Sequence, residues 1–277
     1  LEQVCEKSFG PGLNPLVHLG SLGWFLFWIV TVTGIYIYVF FDTGVTQAYA
    51  SLEYLSREQW YLGGIMRSLS ADAALQHGLN PYANIIDELH AHRTADLYTA
   101  LTTGTGAREQ WYLGGLMRSL HRYASDALVV VVFVHLLREF AMDRMRGNRW
   151  FPWVTGVPLL WFLYACGITG YWLVWDQLAQ YVAIATTEWL DSIGIFAEPI
   201  ARNFLDSSHL AGRFFTLMAY IHIAVPLIML LFMWVHIQRH AHARVNPPRK
   251  LGIAVLGALL ALSLVVPAMS QAPADLD

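Results

Sequence analysis

Five runs of about 20 predominantly apolar residues recur along the chain, at roughly 20–41, 113–139, 154–175, 214–237 and 251–269. At about 1.5 Å of rise per helical residue each can cross about 30 Å of hydrocarbon, so the pattern predicts five transmembrane helices. Pro11, Gly12 and Pro15 punctuate the approach to the first run and predict a surface segment, with the helix beginning between Leu16 and Gly20. The connection after the second run carries Arg138, Arg144, Arg146 and Arg149 against Glu139 and Asp143, and the one after the fourth carries Arg239, Arg244, Arg249 and Lys250 with no acid. Both are expected on the cytoplasmic side. The connection between the third and fourth runs holds Asp176, Glu188, Asp191, Glu198 and Asp206 against Arg202 and is expected outside, which leaves the N-terminus cytoplasmic and the C-terminus external. Trp24, Trp150, Trp153, Trp172 and Trp175 fall near span ends, where indole rings favour the headgroup level.

Composition narrows the function. The chain has 277 residues, 56% hydrophobic and 13% charged, which excludes a water-soluble domain and a disordered chain. The net charge of -3, from 17 basic and 20 acidic residues, offers no field for nucleic acid. Cys5 and Cys166 are far apart and form neither a disulfide framework nor a CxxC site, so redox chemistry needs other ligands. The chain starts at Leu1 with no short leader before the first run, and the natural start is expected upstream.

Those ligands stand inside the spans. His121 and His135 lie 14 apart in the second run, and His222 and His236 lie 14 apart in the fourth. Fourteen residues make about 3.9 turns and about 21 Å, so each pair points from nearly one face at two depths. The two runs cross in the same direction, which sets His121 toward His222 at the outer depth and His135 toward His236 at the inner depth. Ionisable groups at membrane depth are costly and usually functional, and facing imidazoles suit the axial positions of a six-coordinate haem iron in a bundle core. Glycines repeat the spacing: Gly20 and Gly34 in the first run, Gly156 and Gly170 in the third. A macrocycle edge needs backbone with no side chain in its way, so these glycines are expected to border the haems. Arg118, Arg138 and Arg213 stand at span ends where guanidinium groups pair with haem propionates. His18, His240 and His242 on the inner side are candidates for a proton relay to quinone, since histidine titrates near neutral pH.

With those residues in place, most of 15–248 resembles the N-terminal, haem-bearing half of the cytochrome b/b6 family of cytochrome bc-type quinol oxidoreductases. The resemblance rests on GSLGW and VTGIY in the first run, on RSLH followed by a histidine at 14 and LLR in the second, on GYWLVWDQ ending the third, and on HIAVP with a histidine at 14 in the fourth. It implies two b-type haems, a low-potential one held by His121 and His222 near the outside and a high-potential one held by His135 and His236 near the inside, with quinone pockets beside each. Three departures stand out. Arg213 lies nine residues before His222 where the family has five, which adds a helical turn. The family's Pro-Glu-Trp-Tyr motif belongs to a C-terminal half that this sequence lacks. The position of the cysteine that holds an extra haem in photosynthetic members is His18 here, so no covalent haem is expected.

The expected fold is an all-α membrane protein, a four-helix transmembrane di-haem bundle plus a fifth C-terminal transmembrane helix. Its parts are a cytoplasmic segment 1–19, a haem domain 20–240 with an external insertion 42–112, and the fifth helix with its external tail, 241–277. The insertion contains a near-repeat, REQWYLGGIMRSLS at 57–70 and REQWYLGGLMRSLH at 108–121, identical at twelve of fourteen positions; only the second ends in a ligand. Its Asp87, Glu88, His90 and His92 read as a solvated loop rather than a metal site. The expected function is electron transfer between quinol and quinone across a bacterial inner membrane. Expected partners are lipid, quinone, a separate subunit supplying the C-terminal half, an iron-sulfur (Rieske-type) protein or c-type cytochrome, and a second copy of the chain. Two alternatives stay open: a cytochrome b anchor for a peripheral dehydrogenase, and a haem-free transporter or assembly protein.

Overall fold

A computed structural model describes residues 2–10, 12–45, 47–57, 113–194, 199, 205, 212–238 and 243–274. Among these, apart from one bridge between Asp176 and Pro273, all regular structure is helical: α1 Glu2–Phe9, α2 Leu19–Phe40, α3 Gln47–Arg57, α4 Leu113–Ala141, α5 Trp150–Trp172, α6 Gln177–Ser192, α7 Gly212–Gln238 and α8 Arg249–Val265. The five apolar runs are α2, α4, α5, α7 and α8, with ends within about four residues of those read from hydropathy. The amphipathic α6 and the short α1 and α3 carry no run of membrane length and escaped that reading.

Local chemistry explains the ends. Pro15–His18 form a 3₁₀ turn leading into α2, and Asn14 caps it by accepting from the Leu16 N–H at 3.1 Å. Asp176 caps α6 by accepting from the Ala179 N–H at 2.8 Å. Pro158 and Pro226 sit inside α5 and α7, where a membrane helix tolerates them because neighbours re-satisfy the freed carbonyls. Among the described residues, three helical stretches, Pro15–Phe40, Gly147–Trp172 and Gly212–Gln238, are long and apolar enough to cross a membrane. Their exteriors carry large exposed apolar residues such as Val32, Trp161 and Leu231, as lipid-facing surfaces do.

The chain folds as two compact units. The first comprises Leu1–Gly34, Leu120–Thr169 and Tyr220–Val265. Its core is Leu26, Phe27, Leu120, Ala124, Leu128, Leu163, Met229 and Leu259. In lipid such a core is held by van der Waals packing rather than by removal from water. The second unit comprises Ile35–Ser119, Gly170–Ala219 and Val266–Asp277. It contains an aromatic cluster in which Trp172 stacks on Phe214 at 6.2 Å and Trp175 meets Phe215 edge to face at 5.0 Å. Trp172 and Trp175 are therefore buried, because the phenyl rings that open α7 cover them, whereas Trp150 is exposed. Trp175 adopts a left-handed backbone, φ 49°, at the turn into α6, an uncommon conformation for a side chain of that size.

Residues 266–274, after α8, form a strap stitched into the second unit. Ala268 N–H donates to Ser119 Oγ, Gln271 N–H to Asp176 Oδ2, Tyr49 O–H to the Gln271 carbonyl, Gln177 N–H to the Ala272 carbonyl and Ala274 N–H to the Trp175 carbonyl. The expected external tail is in this stretch an integral layer.

Candidate functional site: two histidine tiers

All four in-span histidines belong to the first unit. His121 and His222 face each other with ring centres 6.4 Å apart. Two imidazole nitrogens held at about 2.0–2.1 Å from one metal, each about 1 Å ahead of its ring centre, place those centres about 6 Å apart. The pair His121 and His222 therefore has the spacing of two imidazole ligands to one ion. His135 and His236 line one cavity of about 420 Å³, together with Gly20, Gly156, His18, Trp24 and Trp153.

The ring orientation is set by the nitrogen that faces away from the partner. His121 Nδ1 lies 3.1 Å from the Val30 carbonyl and 3.2 Å from Thr33 Oγ1. His222 Nδ1 lies 2.9 Å from the Cys166 carbonyl and 3.4 Å from Thr169 Oγ1. A carbonyl only accepts, so Nδ1 carries the proton in both rings and Nε2 keeps its lone pair. His236 Nδ1 lies 3.1 Å from Thr155 Oγ1, whose own proton goes back to the Phe151 carbonyl at 2.9 Å, so there too the imidazole donates. Holding the second nitrogen in this way is how proteins orient metal-bound histidine.

The glycines explain how the rings fit. A Cβ on Gly34 would lie 3.0 Å from His121 Cε1, one on Gly156 3.3 Å from His236 Cε1, and one on Gly20 3.6 Å from His135 Cε1. They make room for the imidazoles themselves, because the ring that donates Nδ1 to the neighbouring helix must press against that helix's backbone. Gly170 lies in α5 directly after Thr169, which bonds His222.

Spacing alone missed the threonines. Thr33, Thr155 and Thr169 each immediately precede one of the four glycines, so the Thr-Gly dipeptide was the available signal; before Gly20 stands Leu19. Each hydroxyl donates to a carbonyl one turn back, which aims its lone pair at the ring across the helix interface. Trp153 was read only as an anchor. Its buried Nε1 has no acceptor among the described residues and it lines the cavity, so it suits a bound group that brings an oxygen.

Charge collects at one rim of that cavity. Glu139 accepts from Arg138 at 2.9 Å and Arg144 at 2.9 Å, with Arg149 at 4.0 Å, and Arg244 also lines the wall. One carboxylate among four guanidinium groups leaves a net positive collar fit for carboxylates. Arg118 is bonded to Glu53, Ser56 and Ser270. Arg213 is exposed near the start of α7. His18 is buried at the cavity wall. His240, His242, Asp87, Glu88, His90, His92 and residues 58–70 of the first copy of the near-repeat lie outside the described residues.

Comparison with known proteins agrees with this geometry. The family model described as Cytochrome b/b6/petB matches residues 89–244, more than half of the chain. A solved structure titled "Hyperthermophilic respiratory Complex III" is similar in fold, with a TM-score of 0.62 at 15% identity, covering 99% of this chain and 68% of that one. With the matched stretch covering more than half of the chain and containing both histidine tiers, this integral membrane protein belongs to the cytochrome b/b6 family.

Proposed function

We propose that the chain is the di-haem electron-transfer subunit of a cytochrome bc-type quinol oxidoreductase. The observation that carries this reading is the facing pair His121 and His222, each with Nδ1 bonded away and Nε2 left as the coordinating atom. His121 and His222 hold the outer haem, and His135 and His236 the inner one. When bound, b-type haem supplies reversible one-electron exchange at its iron. The protein's own part is to fix the imidazole tautomers, to keep water from the ligand nitrogens with the apolar side chains around them, and to receive carboxylates at the arginine collar. Gly20, Gly34, Gly156 and Gly170 leave room beside the four rings. Trp153 donates its indole N–H to an oxygen in the cavity. His18 at that wall delivers protons toward a reduced quinone, with His240 and His242 as further carriers.

Within this reading Arg138 and Arg244 face the inner haem's carboxylates, while Arg118 and Arg213 belong to the outer side. The chain is placed in a bacterial inner membrane with its N-terminus cytoplasmic. It works beside a subunit carrying the C-terminal half, an iron-sulfur or c-type cytochrome acceptor, and a second copy of itself. The test is pyridine haemochrome stoichiometry on the purified protein, followed by single substitutions. His121→Ala and His222→Ala are expected to remove the outer haem alone, and His135→Ala and His236→Ala the inner haem alone. A parent protein with no b-type bands, or equal loss of both haems in every variant, would overturn the reading.

A further inference from the structure

Between the two histidine levels the helices of the first unit carry almost no charge. In the stretches 20–34 of α2, 121–135 of α4, 156–169 of α5 and 222–236 of α7, Arg122 and Asp126 are the only Asp, Glu, Lys or Arg residues. Arg122 Nε donates to Asp126 Oδ2 at 3.0 Å, and the two side chains are 50% and 56% exposed, turned away from the core. Val130, Phe133, Leu137 and Phe140 continue the same helical face at steps of three or four, and each is about half exposed. This outward stripe of α4 is therefore apolar over most of its length and polar at one end.

Whatever covers the stripe must suit Asp126. It stands near the middle of α4, about 20 Å of rise from either end, on a side chain too short to extend to the headgroups as the arginine stem can. Acyl chains supply no donor, and an ionised group at that depth is costly. Its Oδ1 receives no hydrogen bond among the described residues. A second copy in the same orientation brings like residues to one depth about the symmetry axis, Asp126 beside Asp126 and Arg122 beside Arg122, where little solvent screens their repulsion. A helix from a different polypeptide has neither defect: its apolar side chains pack along the stripe, and one donor completes the carboxylate.

We propose that this face of α4 docks a transmembrane helix of another polypeptide, which sets a hydroxyl, amide or amine donor against Asp126 Oδ1. Docking there requires α4 to span the bilayer and does not depend on what the histidines bind. It is tested on the complex purified in mild detergent from native membranes, with the photo-crosslinking residue benzoylphenylalanine replacing Val130, one turn from Asp126. After illumination the expected adduct joins position 130 to an apolar span of a different polypeptide that carries Ser, Thr, Asn, Gln, Lys or Arg within one turn of the joined residue. Asp126→Leu, which suits both helix and lipid, is expected to lower recovery of that polypeptide with the chain by about tenfold. Asp126→Asn keeps an acceptor and lowers it less. Adducts confined to lipid, to a second copy or to the chain itself overturn the inference. So does a joined span without a donor, or full recovery of the partner with Asp126→Leu. Should Asp126→Leu fail to accumulate, the adducts from position 130 beside an intact Asp126 decide alone.

Discussion

Gly34 and Gly20 occupy equivalent positions one tier apart on α2, yet their tolerance to a methyl group differs. At Gly34 the new Cβ would lie 3.0 Å from a ring held by Val30 and Thr33, which cannot retreat without breaking both bonds. At Gly20 the corresponding distance to His135 is 3.6 Å, ordinary van der Waals contact. Gly34→Ala is therefore expected to deplete the outer haem while Gly20→Ala keeps the inner one, as read from the two b-type bands in reduced-minus-oxidised spectra. Thr155→Val removes an acceptor from His236 Nδ1 at nearly constant volume, and the loss of such an orienting partner lowers metal affinity by about 10- to 100-fold. Retention of the inner haem against a competing apo-protein measures that loss. Which histidines share a face could be read from spacing, because 14 residues return a helix to almost the same face. Which residues orient their rings could not, because Thr33, Thr155 and Thr169 act across a helix interface.

At the scale of elements, one carboxylate joins the strap to the start of α6. Asp176 accepts from Ala179 N–H at the start of α6 and from Gln271 N–H in the strap, and it is buried. Replacing it with alanine removes a helix cap and leaves a buried N–H in the strap without its acceptor, together about 2–4 kcal/mol. A lower thermal midpoint in detergent and faster proteolysis within 266–274 are the expected signs, with haem content unchanged. The five apolar helices were legible from hydropathy because each carries its own apolar run. The amphipathic α6 and the strap were not: α6 buries only small residues, Ala179, Ala183 and Thr187, and the strap is held by hydrogen bonds to side chains and backbone groups distant in sequence.

For the whole molecule, both histidine tiers lie in the first unit, so haem occupancy should govern that unit's stability. A ligand present at about 1,000 times its dissociation constant adds about 4 kcal/mol per site to the folded state. Extracting the haems is expected to lower the thermal midpoint sharply and to restore it on reconstitution; an unchanged midpoint would mean that the imidazoles hold nothing that contributes to folding. The sequence by itself determined the helical class, the four candidate ligands and the family, because these depend on local periodicity and on residues that repeat along single helices. Only the tertiary structure decided that the glycines admit imidazole rings, that threonines and carbonyls set the tautomers, and that Arg118 is bound to Glu53 and Ser270. Those are relations between elements far apart in sequence, and they exist only once packing has brought the elements together.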